Sequence, residues 1–269
     1  MYFVHYRDSI NSLFSYNYFM KITKSKLLRN CKNISHAFTS KECGISKSPY
    51  NSLNLAFHVG DDSYDVEKNH QLLADTLSYE KQNLIYMKQI HSSLVHVVDE
   101  SDNFSNPKNC DALITNKKNT PLMVMVADCS PILFYDSACD VIAVAHAGRE
   151  GAFKNIVQNV IDSMKHNFNS KTKNILVTIG ASIGSCCYEV GEEIFNEAKR
   201  LNLQYALNKK KDSYYLNISR ILKTQLLEQG IKKENLEISK ECSCCKNEKY
   251  FSYRANGTTG RFCGVIYLT

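Results

Sequence analysis

No stretch of this sequence approaches the roughly 18 apolar residues that a membrane-crossing helix needs, so a soluble chain is expected. The first twenty residues, MYFVHYRDSINSLFSYNYFM, lack the basic start and unbroken apolar run of a signal peptide, and Asp8, Asn11 and Asn17 interrupt them. They are expected to form a loose arm over residues 1–21, ahead of one domain over 22–269, because no repeat, linker or low-complexity tract divides the rest. The 8 histidines contain no H-x-H pair, which argues against a multi-histidine copper cluster. No stacking-aromatic or groove-helix motif accompanies the net charge of +6, and its lysines are scattered apart from short groups such as Lys209-Lys210-Lys211, so nucleic acid is not an expected partner. An odd number of cysteines, 11, without an export signal implies reduced thiols in the cytoplasm and no disulfide framework.

What is present is a 43% hydrophobic chain of 269 residues, enough for a sizeable core. Strand and loop are expected from about Lys32 to Asp62. Val66, Leu73 and Leu77, with Asp65 and Glu67 in the first turn, predict a helix over Ser63 to Leu77. Short β-rich runs follow between Leu84 and Ala145: YMKQI, LVHVV, DALIT, LMVMVA, ILFYD and VIAVA. Further helices are predicted over Phe153 to Phe168, with a stripe of Ile156, Val157, Val160, Ile161 and Met164, and over Ile218 to Gln229, capped by Asn217 and ended by Gly230. Another is expected over Val190 to Leu201, and ILVTIG and CGVIYL add strands. Strands and helices do not alternate strictly, so the expected fold is α+β (mixed α/β): a single domain with mixed sheets flanked by helices, not a doubly wound parallel sheet.

His91, Cys129 and His146 each stand at or just beyond the end of such an apolar run, where a polar residue points into a cleft. Two imidazoles and a thiolate suit zinc, with copper a lesser fit, and leave a fourth position open. The separations of 38 (129 − 91) and 17 (146 − 129) residues are not those of a local zinc finger, so these ligands must meet through folding. Taken singly, a buried cysteine is commonly a small hydrophobe and a histidine a satisfied structural residue. The turn His146-Ala-Gly-Arg-Glu-Gly151 offers backbone N–H groups at a helix start, which can hold an anion. Arg254 and Arg261, in YFSYRANGTTGR, can clamp phosphate or carboxylate, or equally form loop salt bridges. Cys242, Cys244 and Cys245 in CSCC, with the vicinal Cys186-Cys187, raise a second metal or a redox pair. The run is not read as a plain C-x-x-C, and neighbouring thiols in a reducing compartment are usually idle.

Taken in order, SPYNSLNLAFHVGDD, KQIH, DALIT, ADCSPILFYD, VAHAG, IGASIGSCCYEVGEE and FSYRANGTTGR cover nearly the whole chain after the arm. Together they make it resemble the laccase-domain or YfiH family, once labelled polyphenol oxidases and now regarded as purine nucleoside phosphorylases. The resemblance implies that His91, Cys129 and His146 are metal ligands and catalytic, and that Asn54, Arg149, Arg254 and Arg261 bind substrate. It further implies a zinc enzyme that cleaves adenosine, inosine and S-methyl-5′-thioadenosine with phosphate and deaminates adenosine. Its partners would be a purine nucleoside and phosphate, with no nucleic acid or membrane.

Two departures stand out. Where the family usually has H-A-G-W-R-G, this chain carries Arg149 and Glu150, which removes an aromatic wall and shifts a positive charge by one position. Where it usually has an Arg and a Gly pair in an early loop, TSKECGIS offers Lys41 and Cys43. The rival expectations are a cysteine hydrolase with Cys129 as nucleophile, including one that edits a UDP-muramoyl-amino-acid precursor, a copper oxidase, and a non-catalytic metal-binding protein.

Overall fold

The computed structural model describes residues 20–269; all but the last two residues of the expected arm lie outside them. Two mixed six-stranded sheets and one small antiparallel sheet carry the chain. The first sheet runs in the order Ile22–Thr23, Ile34–Thr39, Phe262–Leu268, Leu122–Val126, Ile85–Lys88 and Lys108–Asn109. The second runs Leu236–Ile238, Ile175–Ile179, Ser130–Asp136, Val141–Ala147, Ala112–Thr115 and Val95–Val97. This is the mixed, helix-flanked architecture that the irregular order of elements predicts.

The two sheets are stacked, and the alternation of side chains along each strand builds the layers. From Leu122–Val126, the side chains of Leu122, Val124 and Val126 enter one cluster with Leu133, Tyr135, Ile142 and Val144 of the other sheet. Met123 and Met125 point the opposite way and join Leu73 and Leu77 of the helix Ser63–Leu77. On the far side of the second sheet, Ile132, Phe134, Ala143 and Ala145 pack on the helices Ile156–Phe168 and Ile218–Glu228. Helix, sheet, sheet and helices thus form four layers, and because both faces of the central strands are covered, LMVMV and ILFYD read as continuous apolar runs.

Two differences from expectation have local causes. The helix expected over Phe153 to Phe168 is two helices, Arg149–Phe153 and Ile156–Phe168. Asn155 separates them in a left-handed conformation at φ 55°, a geometry asparagine tolerates better than most residues, and its amide donates to Gln158 Oε1 at 2.8 Å. The helix expected from Val190 starts at Glu192, because Glu189–Val190 instead pairs with Ser213–Leu216. That strand also pairs with Leu207–Lys210, so the lysine group Lys209-Lys210-Lys211 lies in a hairpin. Among the described residues no helix is long and apolar enough to cross a membrane.

Candidate metal centre and cleft

Topology gathers the three predicted ligands at one edge of the sheet pair. Ile85–Lys88 and Leu122–Val126 run parallel, so His91 and Cys129, each beyond the end of its strand, emerge on the same side. Cys129 then begins the crossing into the second sheet, where Pro131 pairs with His146 in an antiparallel register. The donor atoms of His91, Cys129 and His146 all lie within 4.8 Å of one another. His146 is buried, Cys129 half-buried and His91 exposed, and the two imidazoles meet edge to face with centroids 4.8 Å apart.

A buried carboxylate that sequence reasoning missed holds both histidines. Asp111 opens the DALIT strand, and its carboxylate accepts backbone N–H groups from Ile90, His91 and Ser92 at 3.3, 3.1 and 2.6 Å. Those bonds hold His91 in the left-handed region at φ 57°, an unfavourable place for a residue with a side chain. Asp111 Oδ1 also lies 2.8 Å from His146 Nδ1. A carboxylate accepts, so Nδ1 carries the proton and Nε2 is left as the donor atom. Burial opposes ionisation of Asp111, yet the bonds from His146 and Ser92 hold its pKa below the usual carboxylate value. The signal was a lone acidic residue at the mouth of an apolar strand.

Electrostatics favour a thiolate. Burial alone would raise the Cys129 thiol, but the His146 charge and hydrogen bonds from His146 and His91 bring it down to about 6. Burial pulls His146 the other way, and the facing thiolate and Asp111 carry it up to about 9. These opposed shifts favour a thiolate–imidazolium form of the Cys129–His146 pair in metal-free protein. A soft or borderline cation replaces that shared proton naturally, since thiolate and neutral imidazole are what it binds. The space is built for close approach: a Cβ at Gly148 would lie 2.7 Å from Cys129 Sγ and 3.5 Å from His91 Cδ2.

These donors line a cleft of about 440 Å³, within the range of small-molecule sites. Arg149, Arg254 and Arg261 line it too, together with Tyr188, Tyr253, His58 and Gln89. Arg149 is engaged, with Nη1 2.6 Å from Glu197 Oε2 and Nη2 3.4 Å from Glu150 Oε1. Arg254 lies over the Tyr188 ring at 5.2 Å and donates from Nη1 to the carbonyls of Cys187 and Glu189, both at 3.1 Å. Arg261 donates from Nη1 to the carbonyls of Thr259 and Gly260 at 2.9 and 3.0 Å. The loop salt bridges considered for Arg254 and Arg261 are thus carbonyl contacts, which leave each guanidinium its full positive charge.

Asn54 does not line the cleft. It is fully buried, its amide donates to Ala56 O and Asp61 Oδ2, and its Oδ1 accepts from the backbone of Ala56 and, at 2.9 Å, of Arg261. Its place is behind Arg261, fixing the backbone from which that guanidinium reaches forward. Lys41 is not among the cleft-lining residues either, and its Nζ lies 2.6 Å from Asn247 O. The aromatic wall expected to be missing at Arg149 has counterparts in Tyr188 and Tyr253.

Asp128 is the second unforeseen group. It stands at φ 92° beside Cys129, and its carboxylate accepts from Ser243 Oγ and from the backbone N–H of Arg254, both at 2.7 Å. Its own carbonyl accepts from Ile183 N at 2.8 Å. One residue thereby ties the cysteine turn to three other segments, two of which line the cleft through Ile183 and Arg254.

Comparison with known proteins follows the same outline. A family model described as multi-copper polyphenol oxidoreductase laccase matches residues 35–269. A purine nucleoside phosphorylase of Corynebacterium glutamicum is 36% identical over 236 residues, 87% of this chain and 94% of that protein. The purine nucleoside phosphorylase YlmD of Bacillus subtilis is 30% identical, over 88% of this chain and 90% of its own. Among solved structures, the hypothetical protein YfiH of Bacillus licheniformis superposes with a TM-score of 0.84 at 31% identity, covering 88% of this chain and 93% of the other.

Proposed function

This chain belongs to the laccase-domain family of YfiH- and YlmD-type proteins, and from that premise we propose that it is a zinc-dependent purine nucleoside phosphorylase. Its substrates are adenosine, inosine and S-methyl-5′-thioadenosine, cleaved with phosphate, and it also deaminates adenosine. The observation that carries the proposal is the convergence of His91, Cys129 and His146 within 4.8 Å at a cleft walled by arginines and tyrosines.

His91, Cys129 and His146 would hold the zinc, which supplies Lewis acidity able to bring the pKa of water toward about 7. Two imidazoles and one thiolate suit a single ion better than a copper cluster, which needs many more imidazoles. Asp111 keeps Nε2 of His146 facing the ion by holding the proton on Nδ1. Phosphorolysis requires an anion to approach C1′ while the bond from C1′ to the purine nitrogen breaks and its electron pair leaves with the base. Arg254 and Arg261 supply the positive field that holds phosphate in place, with Asn54 fixing the second of them. Tyr188 and Tyr253 offer rings against which a purine stacks. Deamination asks the same site to direct water onto C6 with loss of ammonia.

A second reading rests on the thiolate–imidazolium pair, which is also the resting state of a cysteine nucleophile. Following inosine and adenosine by chromatography, with and without phosphate, on protein of known metal content separates the two. Phosphate-dependent release of hypoxanthine by zinc-loaded protein is the expected result. Metal-free protein that turns over a substrate and is stopped by alkylation of Cys129 would replace the phosphorylase reading with the hydrolase. The cysteines, none of them paired in a disulfide, fit a reducing cytoplasm.

A further inference from the structure

A second cluster of sulfur donors lies outside the site just described. The Sγ atoms of Cys186, Cys187, Cys242 and Cys245 all lie within 4.8 Å of one another, brought together from two loops far apart in sequence. Although CSCC looks irregular as a run, Cys242 and Cys245 within it have C-x-x-C spacing, and Cys244 stands outside the group. From the convergence of these four thiols we propose a structural tetrathiolate site for one zinc ion, which staples the loop carrying Cys186 and Cys187 to the loop carrying Cys242 and Cys245.

The geometry is that of a mononuclear site. Four thiolates about one ion at about 2.3 Å sit roughly 3.8 Å apart, and Cys245 Sγ is 3.3 Å from both Cys186 Sγ and Cys187 Sγ. A disulfide would single out one partner, whereas Cys245 is shared equally between two. A polynuclear iron–sulfur cluster would need room for bridging sulfides and would spread its cysteines farther. Cys242 Sγ also accepts backbone N–H groups from Gly184 at 3.1 Å and Cys245 at 3.5 Å, bonds that favour a thiolate. Gly184 keeps the space clear, since a Cβ there would lie 3.1 Å from Cys186 Sγ. Lys210, with Nζ 3.5 Å from Ser185 O, supplies positive charge beside what would be a dianionic centre.

The staple has a place in the larger design. Cys187 gives its carbonyl to Arg254, and Tyr188 follows it into the cleft wall, so fixing these thiols fixes that rim. The ion would bind as a closed, four-coordinate site with no position open to substrate, unlike the cleft centre.

Metal analysis of protein purified and reconstituted with zinc under reducing conditions tests this independently of the cleft reading. Wild type, Cys129→Ser and Cys245→Ser are expected to hold two, one and one equivalents. Cobalt(II) bound by Cys129→Ser should give intense sulfur-to-metal charge transfer and tetrahedral visible bands, and these should vanish in the Cys129→Ser/Cys245→Ser double variant. One equivalent in wild type and none in Cys245→Ser would uphold the tetrathiolate site while removing the cleft ion. Unchanged metal content in Cys245→Ser, absence of the cobalt bands from Cys129→Ser, or free reactivity of all four thiols in zinc-treated wild type would overturn it. So would iron in place of zinc, or a disulfide within the four cysteines after reducing purification. Should Cys245→Ser fail to fold, protection of the four thiols from alkylation in wild type decides alone.

Discussion

Asp111 reaches His146 Nδ1 at 2.8 Å and, with the same oxygen, accepts the backbone N–H of His91 at 3.1 Å. A single carboxylate therefore sets the ring tautomer of one proposed ligand and the backbone of another. Asp111→Asn puts an amide N–H where donors already converge and removes the charge facing His146. Zinc affinity is expected to fall about 10–100-fold, the usual effect of losing such a support. Competition with a chromophoric chelator measures it, and an affinity equal to wild type would show that the carboxylate only orders the turn.

Removing the ligands themselves should act more severely. Cys129→Ser and His146→Ala are expected to lose the cleft zinc and both reactions while keeping the circular-dichroism spectrum of the folded chain. Full turnover of inosine with phosphate by either variant would show that the site is assigned wrongly.

Arg149 tests the departure at the helix start. Arg149→Trp gives up the bond to Glu197 Oε2 at 2.6 Å but adds a ring to the cleft. Stacking of about 0.5–1.5 kcal/mol corresponds to a Michaelis constant for inosine roughly 2–10-fold lower. If steady-state kinetics give an unchanged value, the tyrosines already supply the stacking surface.

Acid should destabilise the fold through two buried histidines. Burial holds His70 down to about 4; its Nε2 lies 2.8 Å from Leu55 O, while Nδ1 has no partner. Burial, followed by the charge of Lys24, likewise brings His36 to about 4, where its Nε2 accepts from Ser25 N at 2.9 Å. Unfolded histidine titrates near 6.5. Between about pH 6.5 and 4 the unfolded chain therefore binds protons that the folded chain refuses, and stability falls as pH falls through that window. Each histidine contributes a slope of roughly 1.4 kcal/mol per pH unit. Urea melts at several pH values should show His70→Gln, whose amide can still donate to Leu55, with a shallower slope than wild type; equal slopes would remove His70 from the account.

Much of this architecture was legible because core-facing residues obey a period. Ser63–Leu77 and the strands from Leu122 to Ala147 follow directly from where their apolar side chains fall. Asn155 was not legible as a break, since the apolar stripe continues on its far side and only its left-handed backbone interrupts the helix. Glu189–Val190 and its partners are short, half-exposed strands with no buried face to leave a pattern. His91, Cys129 and His146 could be named as ligands because each punctuates an apolar run. Asp111 was marked only by being a lone acid at the mouth of an apolar strand, and the partners of Asp111 and Asp128, backbone N–H groups among them, are set by folding. The relation of Cys186 and Cys187 to Cys242 and Cys245 is likewise one of tertiary folding, spanning 56 positions (242 − 186).

The three proposed cleft ligands belong to different sheets: His91 follows a strand of the first, His146 ends a strand of the second, and Cys129 lies on the crossing between them. An ion held by all three would thus be a gauge of sheet alignment. Any substitution in the interleaved layer of Val124, Leu133 and Val144 that lets one sheet slip past the other will register as weakened coordination, however far it lies from the cleft.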